Sequence, residues 1–370
     1  MGSSTRPARR EAAPAEPLLQ LYRLDARNGD ELSAAMRAND VEILQTKPAT
    51  EAWFLDRVAV PGVVVQHGRL GGPALALGAA HASQVEVLLP WSTSAPIHYC
   101  GQAMTGRIAV YGPGCSHQAR CSAPQGFTLL SFDKQALDLR LQTLDPDDGP
   151  NAPEKGFHSL ALAPTTELVF RKNILRLVAH ARAAANDPEA RGPIPLLAEA
   201  IVEPVLDMLL RAKTDKARRS PGDRAARRMI MSRVLEYLAG HRHQPVTLED
   251  LCSAGGTGLR NLQYTFQEQF GITPYQFLRW RRLHHARRLL ESQAVTSVKA
   301  AALDSGFMEF GRFSVEYRRL FGESPSSTLA RCDFIQYGGM RRGHGGGTDQ
   351  KPRSLAADPM EVTTAMRQRP

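Results

Sequence analysis

Between residues 26 and 150 the apolar positions come in short runs. "VAVPGVVVQHG", "PALALGAA", "QVEVLLP", "GRIAVYGPG" and "GFTLLSF" are separated by Gly and Pro at roughly ten-residue intervals. That rhythm predicts several short strands joined by tight turns, in a β-sandwich or barrel. Just ahead of most of these runs, "GDELSAAMRAND" carries Leu32 and Met36 at i and i+4, which predicts a helix with Asp30 as its cap. "LDPDDGPNAPEKG" at 144–156 breaks the pattern and predicts a loop or boundary. The spacing then becomes helical: Leu168, Phe170, Ile174, Leu175, Leu177 and Val178 form one stripe, and Leu197, Ile201, Val205 and Leu209 a second, with Pro204 set to kink it. Residues 213–222 read as a polar linker, and 223–330 as almost wholly helical. The basic, Ala/Pro-rich arm 1–25 and the Gly-rich tail 331–370 have little to bury and are expected to be disordered. These segments predict an α+β chain with a β-rich domain at 26–150, a helical segment at 158–212 and an all-α domain at 223–330.

The all-α region says nearly the same thing twice. Aligning 247–274 with 297–325 sets Leu248 on Val298, Leu251 on Ala301, Cys252 on Ala302 and Gly256 on Gly306. After a one-residue slip, Leu262 meets Phe313, Phe266 meets Tyr317, and Phe270-Gly271 meets Phe321-Gly322. Each shared position has a physical reason. Two short helices crossing steeply need a small side chain at the contact, supplied by Cys252 and Ala302. The turn between them wants a glycine with positive φ, supplied by Gly256 and Gly306. The stripes Leu259, Leu262, Phe266 and Phe310, Phe313, Tyr317 should pack inward, and Gly271 and Gly322 should stop the helices. Between the copies, "PYQFLRWRRLHHARRLLESQ" predicts one long helix that joins them rigidly.

Charge sharpens the picture. The chain of 370 residues carries a formal net charge of +9, and 223–330 holds fifteen Lys/Arg against ten Asp/Glu. An excess concentrated in the repeat region points to a polyanionic partner. Five cysteines without a CxxC pair argue against a disulfide framework, and no run nears the roughly eighteen apolar residues of a membrane span.

With the two copies and the signature "SVKAAALDSGFMEFGRFSVEYRRLFGESPSSTL", residues 225–330 resemble the DNA-binding domain of the AraC/XylS family of bacterial transcription regulators. The resemblance implies seven helices and two recognition helices entering successive major-groove segments of promoter DNA. On the first recognition helix the positions matched to base reading are Arg260, Asn261, Gln263, Tyr264 and Gln267; on the second they are Arg312, Ser314 and Val315. Arg suits guanine, and Asn or Gln suits adenine. Arg279, Arg282, Arg318 and Arg319 are assigned to phosphates. Two departures from the family stand out. Gly258 is a weak cap for the first recognition helix, and Gly311 and Val315 leave the second with fewer polar readers. The resemblance also implies a cupin-like N-terminal barrel that binds a small-molecule effector, homodimerisation through 158–212, RNA polymerase as a potential partner, and a cytoplasmic, nucleoid-associated location.

A different class stays open beside this one: a metal-dependent cupin-type enzyme with a DNA-binding appendage. His67, His81, His98 and His117 lie in the strand region, yet they show no His-x-His pair followed by Glu. No Gly-x-Ser-x-Gly, Walker loop or His-Glu-x-x-His occurs, so no catalytic residue, metal ligand or cofactor is assigned.

Overall fold

A computed structural model describes residues 20–36, 41–91, 95–146, 153–154, 156–212, 222–242 and 244–338. Among the described residues twelve strands are present: β1 Gln20–Ala26, β2 Glu42–Gln45, β3 Trp53–Val60, β4 Val63–Leu70, β5 Ala74–Ala79, β6 Gln84–Trp91, β7 His98–Tyr99, β8 Gln102–Ala103, β9 Arg107–Tyr111, β10 Ser116–Cys121, β11 Gln125–Asp133 and β12 Phe157–Ala161. They form two antiparallel sheets, a seven-stranded one in the order β1-β3-β4-β11-β6-β9-β12 and a five-stranded one in the order β2-β5-β10-β7-β8. The helices are α1 Gly29–Ala35, α2 Lys134–Leu144, α3 Pro164–Ala183, α4 Ile194–Ala212, α5 Gly222–Gly240, α6 Leu248–Gly255, α7 Leu259–Phe270, α8 Pro274–Glu291, α9 Val298–Asp304, α10 Phe310–Phe321 and α11 Pro325–Gly338. The fold class is α+β, with a β-rich N-terminal part followed by helices.

Alternation along the strands divides the apolar residues into layers. Leu55, Leu88, Tyr111, Phe127 and Leu129 meet Ile43 and Ala119 between the two sheets. The opposite face of the larger sheet presents Val58, Val65, Val87, Val110 and Leu130 to Phe170, Ile174 and Leu177 of α3 and Ile201 and Val205 of α4. Arg182 of α3 also bonds the fully buried Asp56, which accepts from Arg23 at 3.2 Å as well. The outer face of the smaller sheet supplies Leu44, Leu75 and Leu77 to one core with Met231, Val234 and Leu235 of α5 and Phe266 and Phe270 of α7. The β-rich part and the helical part therefore share buried side chains.

Several expectations need correction. Among the described residues the two sheets keep open edges at β1, β12, β2 and β8, so the barrel is instead a pair of facing sheets. Residues 20–26 form a strand paired along β3 rather than the end of a disordered arm, because the ladder satisfies their backbone groups; the rest of that arm, 1–19, lies outside the described residues. The β-rich part runs past 150, since β12 pairs with β9 and completes the larger sheet. The tail is helical to Gly338, where α11 packs on α8, and 339–370 lie outside the described residues, as do 213–221 of the linker. Asn28 caps α1 by accepting from the Glu31 amide; Asp30 sits in the first turn instead.

Candidate nucleic-acid interface

The seven helices α5–α11 build two helix-turn-helix units, α6–α7 and α9–α10, with α8 between them. Thr247 and Asp250 make a reciprocal capping box at the start of α6, and Ser297 caps α9 by accepting from the Ala300 amide. Gly256 and Gly306 turn the chain at φ of +60° and +77°, where a side chain would be strained. Gly271 and Gly322 end the recognition helices at φ of +68° and +80°. Thr273 and Ser324 then start α8 and α11, each followed by proline. The first recognition helix has no side-chain cap at Gly258, and the second has none at Glu309.

Phe266, Phe270, Phe313, Tyr317 and Phe321 are buried, and the Tyr317 hydroxyl is satisfied by Thr328 Oγ1 at 2.9 Å. Leu259 and Phe310, expected in the same stripes, are exposed instead, because each opens its helix beside the turn. Lys299 stands over the Phe310 ring. The faces left open carry the residues assigned to bases. Arg260, Asn261, Gln263, Tyr264 and Gln267 are all exposed on α7, and the Arg260 guanidinium lies 5.8 Å from the Tyr264 ring. Arg312 and Val315 are exposed on α10, with Arg312 Nε 3.2 Å from Glu316 Oε1. Ser314 is half-buried and donates to the Phe310 carbonyl of its own helix at 3.0 Å. Sequence reasoning placed Leu259 and Phe310 in the core and passed over Met308; all three are exposed beside the turns, and Tyr264 and Val315 are exposed further along the recognition helices. Apolar side chains there can meet thymine methyl groups.

The arginines assigned to phosphates divide. Arg282, Arg318 and Arg319 are exposed, whereas Arg279 is paired with Glu316 and ties α8 to α10. Two further arginines of α8 are buried. Arg281 meets Glu42 at 3.3 Å, and Arg287 meets Glu291 at 2.9 Å with its guanidinium over the Phe321 ring. Part of the basic excess is therefore spent inside the molecule.

No sequence signal announced the contacts that seat this domain on the smaller sheet. Gln118 Nε2 donates to Gln269 Oε1 at 2.7 Å, and Arg120 Nη1 to the Phe270 carbonyl at 2.9 Å, both in the last turn of α7. Gln45 Nε2 donates to the Leu320 carbonyl at 3.1 Å in the last turn of α10. The C-terminal ends of both recognition helices thus face the β-rich part, while their N-terminal faces stay open. Around α8, Arg288 bonds Asp30 at 3.0 Å and His284 bonds the Gln45 carbonyl at 3.0 Å. Despite its burial, Asp30 is held down at about 2 by hydrogen bonds and charge from His284 and Arg288.

The strand-region histidines do not gather. His67 pairs with Thr128 Oγ1 at 3.1 Å, His81 with Ser83 Oγ at 2.9 Å, and His117 lies against Tyr111. Among the described residues no cluster of His, Cys, Asp and Glu could hold a metal ion, and no helix is long and apolar enough to cross a membrane.

Residues 251–331 match the helix-turn-helix domain family. The chain is 30% identical over 171 residues to the probable thc operon regulatory protein of Rhodococcus erythropolis, covering 45% of this chain and 52% of that one. It is 36% identical over 102 residues to the XylDLEGF operon transcriptional activator of Pseudomonas putida, covering 27% and 32%. It is also similar to the crystal structure of a probable AraC family transcriptional regulator from Rhodopseudomonas palustris, at 38% identity over 29% of this chain and 97% of that one, with a TM-score of 0.25. The chain spans about half or less of the length of these two curated relatives. A double helix-turn-helix reader is the class that fold and sequence define. Through that C-terminal domain the chain belongs to the AraC/XylS family of transcription regulators.

Proposed function

We propose that the whole protein is a sequence-specific transcription regulator, not an enzyme, that binds promoter DNA in the bacterial cytoplasm and responds to a small-molecule effector. The observation that carries this reading is the pair of recognition helices, each with aromatics buried and an open face that includes Arg260 or Arg312. Arg260, Asn261, Gln263, Tyr264 and Gln267 read one major-groove segment, and Arg312, Ser314 and Val315 the next. Arg282, Arg318 and Arg319 hold phosphates. Arg279 contributes to the same surface indirectly by fixing α10 on α8 through Glu316. The polar set on α7 outnumbers that on α10, so the first unit supplies most of the discrimination.

The protein acts as a homodimer and recruits RNA polymerase in this reading. Its dimer surface is the outward face of α3 and α4, where Leu168 is 69% and Leu196 76% exposed beside Val169 and Leu175. Replacing Leu168 and Leu175 by glutamate should shift sedimentation to the monomer without unfolding the chain, because neither residue joins the buried core.

The central test is binding to a duplex selected by the full-length protein from a random pool, followed by fluorescence anisotropy at fixed salt. Arg260→Ala with Arg312→Ala should cost about 1–3 kcal/mol per lost base pair contact. Unchanged affinity in that double variant would sink the reading.

A further inference from the structure

Between the two sheets lies a cavity of about 60 Å³ whose walls include Ile43, Leu88, Phe127 and Leu129. Into this apolar space project two buried polar side chains, Tyr111 at 1% and His117 at 8% exposure. Neither the Tyr111 hydroxyl nor His117 Nδ1 has a hydrogen-bond partner among the described residues. Buried polar groups are nearly always paired, so two such groups facing one cavity mark a place for a molecule that pairs them. Their rings lie 4.6 Å apart.

We propose that this cavity binds a compact, uncharged molecule bearing a hydroxyl group, held by Tyr111 and His117, and that strand β10 carries its arrival to the first recognition helix. The donor and acceptor roles follow from the surroundings. The Cys115 backbone accepts from the His117 ring, and burial pulls this imidazole down to about 4, so it is neutral and its Nδ1 is an acceptor. Tyr111 offers an O–H. A hydroxyl complements both, donating to Nδ1 and accepting from Tyr111. A carboxylate offers no donor, and it would face Glu86, which sits opposite Tyr111 in the ladder. A cation would have to shed its water among walls that are otherwise almost wholly apolar.

Size supplies the coupling. The space equals that of about four to six waters, so a ring the size of phenol must push a wall outward. Strand β10 is such a wall. His117, Ala119 and Cys121 point into the cavity, and the alternate residues Gln118 and Arg120 reach Gln269 and the Phe270 carbonyl. At Gly271 even a Cβ would collide with the Arg120 guanidinium, so α7 ends hard against this strand. The Cys100-Gly101 turn, with φ of +48° and +74°, closes on Gln269 from the other side.

The coupling rests on the reading of α7 as a DNA-reading helix; the binding site does not. Full-length protein is titrated with phenol, toluene and benzoate, following thermal unfolding and anisotropy of the selected duplex. Phenol should raise the unfolding midpoint more than toluene, and benzoate should leave it unmoved. Tyr111→Phe, checked for its own unfolding midpoint without additive, should erase the advantage of phenol over toluene. Phenol should change duplex affinity about fivefold or more. Gln118→Ala with Arg120→Ala should remove that change while keeping the phenol-induced rise in midpoint. No rise with phenol, or an equal rise with benzoate or in Tyr111→Phe, overturns the site. A rise in midpoint with unchanged duplex affinity overturns the coupling. Failure to select any duplex overturns the DNA-binding reading and leaves the unfolding arm to judge the cavity.

Discussion

Charge on an arginine here says little until its neighbours are known. Arg318 and Arg319 are exposed at the end of α10, whereas Arg287, of the same residue type, is buried under Phe321. A phosphate contact carries no sequence information, so Arg318→Ala should weaken binding to selected and random duplexes alike. It should lower the slope of log affinity against log salt by about one, as measured by anisotropy over a salt series. Histidine shows the same dependence on surroundings. Burial holds His67 down at about 4 against an ordinary 6.5, so the unfolded chain takes up a proton that the native state refuses. The sign follows: this contribution is complete above pH 6.5 and is lost as pH falls toward 4, to the extent of up to about 3 kcal/mol. Unfolding midpoints at pH 7 and pH 4.5 should differ less in His67→Gln than in the parent. Buried His117 accounts for part of the slope that remains.

At the scale of elements, the two helix-turn-helix units share turn glycines and differ at the reading end. Gly306 is held at φ of +77°, so Gly306→Ala should destabilise the protein by about 1–2 kcal/mol. Gly311 has ordinary helical backbone in α10 and open space around it. Gly311→Ala should therefore stabilise by about 0.5–1 kcal/mol. Denaturant midpoints of the two variants, moving in opposite directions, check both statements. The repeat made this contrast legible in the sequence, since one glycine recurs at its matched position and the other does not. Position within the stripe was less legible: Leu259 and Phe310 fit the apolar spacing, but a first-turn residue can lean outward past the end of the core.

For the whole molecule, the core that joins Leu44, Leu75 and Leu77 to α5 and α7 makes the β-rich and helical parts energetically one. Arg281 and Glu42 are 7% and 9% exposed in that boundary. Glu42→Ala leaves the guanidinium buried without its carboxylate, and should cost about 3–5 kcal/mol. Calorimetry should show both parts still unfolding in a single, lowered transition. Two separated transitions would mean that the shared core does not couple them.

The sequence by itself determined the repeat, the turn glycines, the buried aromatics and the open polar faces of α7 and α10. All of these follow from spacing within one segment, where helix periodicity and φ limits act locally. Only the tertiary structure decided that Arg281 and Arg287 are buried while Arg318 is not, that Asp30 answers Arg288 rather than capping α1, and that Gln118 and Arg120 meet the end of α7. Apart from the contacts of Arg287 with Glu291 and Phe321, these join residues about 150 to 260 positions apart, and no local pattern encodes a partner that the chain brings near only after both parts have folded.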